Sequence, residues 1–144
     1  MTSTVTFFVE DIDFKLSDKM KIRRWLRKII IEEGYKTGEV NYIFCSDEYL
    51  SKLNLQYLNH KTLTDIITFD YSERNIISGD IFISIERVRE NAVKFAASVQ
   101  EELLRVIAHG VLHLCGYKDK SEEEQKLMRQ KEDEKLINYQ NINE

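Results

Sequence analysis

Proline is absent from the 144 residues and glycine occurs only five times, so nothing in the chain reads as a linker between domains. A single domain spanning 1–144 is expected. Two cysteines, Cys45 and Cys115, are too few for a disulfide framework, and both lie in apolar segments. They read as buried, reduced thiols of a cytoplasmic protein. No apolar run approaches the roughly 20 residues of a membrane span, and residues 1–10 lack the basic-then-apolar pattern of a secretion signal. Repeats and low-complexity tracts are also missing. The net charge of −4 argues against indiscriminate coating of nucleic acid, and leaves room for a local basic site.

What the chain does contain suits a packed core under a solvated surface: 42% hydrophobic and 32% charged residues. Alternation predicts strands over 5–9, 40–45 and 78–85, and the short apolar run 66–69 predicts a buried one. Helices are predicted from Ser17 or Asp18 to Glu33, ended by Gly34, and from Ser46 through Tyr57. Another is expected over 86–96. Ser98 with Glu101, and Ser121 with Glu124, are capping boxes opening helices to about Cys115 and Tyr139. The order is strand, helix, strand, helix, two strands, three helices. It predicts an α+β domain with a small mixed four-stranded sheet, its first two strands parallel because a helix crosses between them.

The chemistry concentrates in Glu101–Lys120. At about 100° per residue, His113 lies about 40° from His109, with Glu102 and Arg105 within about 40° of it. Leu103, Leu104, Ile107, Val111 and Leu114 gather on the opposite side. Two imidazoles one turn apart can converge on one metal ion. Gly110 allows another backbone or a ligand to come close, and Gly116 turns the chain so that Asp119 can reach the same ion. Two imidazoles and a carboxylate suit one divalent cation, Zn²⁺ foremost, with a position left open for catalysis. Glu102 is the expected acceptor that orients an imidazole.

The string HGVLHLCGY over 109–117 resembles the signature His-Gly-x-Leu-His-Leu-x-Gly-Tyr-Asp-His of the YbeY family of metal-dependent endoribonucleases. Leu53-Asn54-x-x-Tyr57, Thr64-Asp65-Ile66-Ile67-Thr68-Phe69 and Gly79-Asp80-Ile81-x-Ile83-Ser84 resemble further family motifs in order and spacing. The resemblance implies a metal-dependent nuclease cutting single-stranded RNA in ribosomal RNA maturation, at the 3′ end of the small-subunit RNA, and in ribosome quality control. Its implied partners are ribosomal RNA and the small ribosomal subunit, with no membrane or DNA. The chain departs from the pattern in two places. Asp119 stands where the family has a third histidine, preceded by Lys118 in place of an aspartate, and Leu58 stands where it has an arginine. Arg105, His60 and Lys61 are the candidates for the missing phosphate contact, with His60 also available as a base.

Lys19, Lys21, Arg23, Arg24, Arg27 and Lys28 form a stretch with no intervening acid. Most face away from Ile22, Trp25, Leu26, Ile29 and Ile30, which predicts a basic ridge able to track RNA phosphates. A zinc protease is the rival enzyme class, because the ten-residue spacing from His109 to Asp119 matches such sites. That chemistry needs a glutamate directly after the first histidine, and the residue here is Gly110. A non-catalytic RNA- or ribosome-binding protein with a degenerate metal site is the other alternative. The mixed charges of 121–139 predict a solvated helix face without chemistry.

Overall fold

A computed structural model describes residues 3–58 and 64–142. The alternating segments form β1 (Thr4–Val9), β2 (Lys36–Cys45), β3 (Ile66–Asp70) and β4 (Ile76–Ser84). The helices are α1 (Lys19–Glu32), α2 (Asp47–Leu53), α3 (Ile85–Lys94), α4 (Val99–Leu114) and α5 (Glu122–Gln140). The sheet order is β1-β2-β4-β3. β1, β2 and β4 run parallel, while β3 pairs antiparallel with β4. This is the predicted α+β architecture with a mixed sheet.

Ser98 and Ser121 both close their capping boxes, and Ser46 caps α2 through a bond from the Tyr49 backbone N–H at 3.1 Å. Asp18 stands at the N-cap just before α1, but its side chain makes no capping bond. The helix predicted to run through Tyr57 changes its winding. Regular α-helix ends at Leu53, and Asn54–Leu58 forms a π-helical turn, which no local sequence signal marks.

One sheet face carries the main core. Val40, Tyr42, Phe44, Ile81 and Ile83 pack beneath Ile22, Trp25 and Leu26 of α1 and Ile107 and Val111 of α4. The buried Tyr42 hydroxyl donates to the Ile107 carbonyl at 2.6 Å, which satisfies it and ties β2 to α4. On the opposite face, Cys45, Leu50 and Ile67 form a smaller cluster beside Tyr49, Phe69 and Phe82. Both cysteines are free and buried, and burial pushes both thiols up to about 12.

Two expectations are corrected. Gly110 faces the sheet, where a Cβ would come within 2.8 Å of Ile81 Cγ2 and 3.1 Å of Ile66 Cδ1. Its smallness lets α4 approach β3 and β4, and admits no ligand. α5 is likewise no merely solvated helix. Met128, Glu132, Lys135 and Tyr139 are buried along one stripe. The Lys135 ammonium lies 3.2, 3.0 and 3.1 Å from Glu32, Glu33 and Glu134, and Trp25 Nε1 donates to the Lys135 carbonyl at 2.8 Å. This ion cluster fixes α5 against the end of α1.

Gly110→Ala is expected to lower stability by about 1–3 kcal/mol through overpacking against the two isoleucines. A shift in the urea midpoint at unchanged slope would register it.

Candidate metal centre

α4 is amphipathic in the manner its sequence dictates. Its apolar stripe is buried on the sheet, and Arg105, His109 and His113 lie part-exposed on the other side. The helix ends in a paired turn: the Gly116 N–H donates to the His113 carbonyl at 3.0 Å and the Tyr117 N–H to the Leu112 carbonyl at 3.1 Å. This requires the left-handed φ of 103° at Gly116, which glycine adopts without penalty. The turn brings Asp119 back over the helix. Asp119 Oδ2 lies 3.2 Å from both His109 Nε2 and His113 Nε2.

The other ring nitrogens are held from behind. His113 Nδ1 is 2.9 Å from the Tyr117 carbonyl oxygen, which only accepts, so Nδ1 carries a hydrogen and Nε2 is the nitrogen that would serve as ligand. His109 Nδ1 is 2.6 Å from Glu132 Oε2, and Arg105 Nη1 donates to Oε1 of the same carboxylate at 3.0 Å. The expected orienting role of Glu102 therefore belongs to Glu132, with the Tyr117 carbonyl serving the second histidine. Glu102 is buried and lines the same cleft. No bond joins it to a histidine among the described residues. Burial, and then the charge of Asp65, push its carboxyl up, against the pull of Arg105 and Arg129.

The donor set fits a divalent cation. One atom each from His109, His113 and Asp119 lies within 4.8 Å of the others. Ligands about 2.0–2.1 Å from a tetrahedral Zn²⁺ sit roughly 3.3 Å apart, close to the 3.2 Å from Asp119 Oδ2 to each histidine Nε2. Burial would lower the His109 pKa, but the hydrogen bond and charge of Glu132, with Asp119 and Asp65, outweigh it and raise the value. The same carboxylates that would neutralise a cation thus favour the protonated ring when no metal is bound.

The cluster opens into a cleft of about 690 Å³ between the start of β3 and helices α4 and α5. Four carboxylates line it, Asp65, Glu102, Asp119 and Glu132, against two guanidiniums, Arg105 and Arg129. A divalent cation would balance that excess. Burial raises the Asp65 carboxyl, and the charges of Glu132 and Asp119 add to the rise, against the pull of His109. Arg105 lines the cleft but its guanidinium is engaged, by Glu132 at 3.0 Å and by Asp133 at 2.8 Å.

His60 and Lys61 lie outside the described residues. The six basic residues of α1 do not line the cleft. Arg23 donates to the Val5 carbonyl at 2.8 Å and sits over Phe7, Arg27 donates to Ser3, and the Lys21 ammonium lies 4.3 Å from the Tyr139 ring centre. Lys19, Arg24 and Lys28 are exposed.

The family model for Endoribonuclease YbeY matches residues 7–140. The chain belongs to the YbeY family. Among curated relatives, Endoribonuclease YbeY of Flavobacterium johnsoniae is 57% identical over 132 residues, covering 92% of this chain and 95% of that one. That of Porphyromonas gingivalis is 40% identical over 136 residues, covering 94% and 90%. The solution structure of TM1509 from Thermotoga maritima superposes with a TM-score of 0.65 at 25% identity, covering 96% of this chain and 93% of that one.

Glu132 escaped the reading of the sequence, although a signal existed. Met128, Glu132, Lys135 and Tyr139 follow the spacing of a buried stripe, and a charge on such a stripe needs a partner. Asp65 stood in one of the motifs that carry the resemblance, but only the fold sets it across the cleft from α4.

Glu132→Gln is expected to weaken divalent-metal affinity by roughly 10- to 100-fold, as measured by competition with a chromophoric chelator. The raised His109 pKa also has a sign. Protonated His109 stabilises the metal-free fold fully below the unfolded value of about 6.5, and that contribution disappears as pH rises through the higher folded value. Urea midpoints in chelator should therefore fall from pH 6 to pH 8.5, while metal affinity rises over the same window.

Proposed function

We propose that this protein is a metal-dependent endoribonuclease that cuts single-stranded RNA. We further assign it to ribosomal RNA maturation at the 3′ end of the small-subunit RNA and to ribosome quality control. It would act in the cytoplasm with the small ribosomal subunit as partner and Zn²⁺ as its ion. The observation that carries the chemistry is the convergence of two imidazole nitrogens and one carboxylate oxygen in an open, part-buried cleft. The family carries the choice of RNA. No helix among the described residues is long and apolar enough to cross a membrane.

A divalent ion held by His109, His113 and Asp119 supplies Lewis acidity toward a phosphoryl oxygen or toward water. The chain's own groups arrange the rest. Glu132 and the Tyr117 carbonyl fix both rings with Nε2 turned to the cleft, and Arg105 fixes Glu132. Asp65, across the cleft on the β3 side, is the carboxyl assigned to take the proton of the attacking hydroxyl. Arg105, paired with two carboxylates, acts on substrate through Glu132 and His109 instead of as the free phosphate contact.

The protease alternative lacks its base, since Gly110 has no side chain and its position faces Ile81 and Ile66 instead of the cleft. The exposed Lys19, Arg24 and Lys28 are assigned to distal phosphates of RNA longer than the cleft holds. An unaltered salt dependence of RNA binding after Lys19→Gln and Lys28→Gln together would remove that assignment.

The central experiment compares wild type, His113→Ala and Asp65→Asn purified without chelator. Wild type should carry one divalent ion by mass spectrometry and cleave single-stranded RNA, and His113→Ala should lose both properties. Asp65→Asn should keep the ion and slow by about 10²- to 10⁴-fold. Equal cleavage by wild type and His113→Ala would overturn the mechanism.

A further inference from the structure

The cleft extends well past the three metal-binding side chains, and its far wall is built from residues that the cluster does not use. Phe95 and Arg129 stand there. The two arginines of the cleft differ in availability. Arg105 is 20% exposed and committed to Glu132 and Asp133. Arg129 is 62% exposed, and its Nη1 lies 3.9 Å from Glu132 Oε1, beyond hydrogen-bond distance. Its guanidinium therefore retains donors for an incoming anion.

Phe95 is 59% exposed although it is a large apolar ring. Its position is not loose. The Phe95 N–H donates to the Asn91 carbonyl at 2.9 Å, and the turn closes through left-handed Ala96 and a bond from the Ala97 N–H to the Ala92 carbonyl at 2.9 Å. The Lys94 ammonium lies over one face of the ring, 5.5 Å from its centre, so a base would stack on the other face with positive charge behind it. A smaller hollow of about 200 Å³ shares Phe95, Glu102, Arg105 and Arg129 with the main cleft and continues along Leu136 and Tyr139. The two hollows therefore adjoin along these four side chains, and the smaller one lies on the side away from the metal cluster, whose ligands it does not touch.

We propose that the adjoining hollows form one groove, the exit path of a single RNA strand, in which Phe95 stacks a base and Arg129 pairs a backbone phosphate adjacent to the one at the metal cluster. An exposed ring beside exposed cations with donors to spare is what a flexible strand needs. Every base offers a flat face, and stacking on an aromatic side chain contributes about 1–3 kcal/mol per base. A duplex keeps its bases paired and cannot present them to Phe95, so the subsite favours unpaired RNA and tolerates sequence. The groove takes an anion despite the acids nearby because the metal ion offsets them at one end and Arg129 with Lys94 supply charge at the other. This inference rests on the RNA reading of the site, and adds the direction in which the strand runs.

Binding can be separated from cleavage by fluorescence anisotropy with labelled 2′-O-methyl oligoribonucleotides of two and six nucleotides, on Zn²⁺-loaded protein, with integrity checked by electrophoresis. Wild type should bind the hexamer at least about tenfold more tightly than the dimer. Phe95→Ala and Arg129→Ala should each weaken hexamer binding by about 5- to 100-fold, the range that one stacked base or one phosphate contact supplies. Phe95→Trp should restore it. Arg129→Ala should also reduce the salt slope by about one. A hexaglutamate peptide, which carries charge without bases, should not compete. Hexamer binding unchanged in both alanine variants, no rescue by tryptophan, or equal competition by the peptide would overturn the groove. Wild type cutting unmodified RNA alongside unaltered Phe95→Ala binding would remove only the groove. The expected binding pattern without any cutting would support the groove and remove the nuclease reading.

Discussion

The buried carboxylate of Glu132 accepts from Arg105 at 3.0 Å and meets the His109 ring at 2.6 Å, so one side chain of α5 organises the polar face of α4. Only 5% of the residue is exposed. A carboxylate withdrawn from water costs several kcal/mol unless charged and hydrogen-bonded partners surround it. Here the partners that satisfy it are also the groups that need positioning. The pairing seats α5 on α4, fixes the His109 ring, and leaves Nε2 facing the cleft.

α5 reaches that position because its other end is anchored too. Lys135 lies among Glu32, Glu33 and Glu134, while the Tyr117 hydroxyl donates to Glu33 Oε1 at 2.5 Å and the Tyr117 carbonyl faces the His113 ring at 2.9 Å. A chain of polar contacts thus links the end of α1 to the second histidine. The sheet supplies the opposite wall. β3 lies at its edge, antiparallel to β4, which sets Asp65 and Thr68 beside the histidines. Gly110 permits the close approach that makes the wall and the helix two sides of one cleft.

The electrostatics of the cleft follow from this crowding. Carboxylates outnumber guanidiniums, burial raises Asp65 and Glu102, and the neighbouring Glu132 and Asp119 raise His109. An anion entering such a cleft would meet an excess of carboxylates that a bound divalent ion would balance, and the exposed charges of Arg129 and Lys94 lie toward the other end.

Much was legible in the chain itself. The alternating and helical periods, the serine capping boxes and Gly116 are local signals acting over a few residues, and they determined the elements, their order and the His109–His113–Asp119 spacing. The basic stretch of α1 was equally visible, but its period could not tell which arginines would be spent on Val5, Ser3 and Phe7. Glu102 appeared to be the orienting acid because it shares the helix face of His109, whereas Glu132, on the next helix, occupies the ring nitrogen. The sequence by itself determined what each helix face carries, since that depends on near neighbours along the chain. Which faces meet was decided only by tertiary structure, because Glu132, Asp65, Phe95 and Arg129 reach one cleft through contacts between segments tens of residues apart.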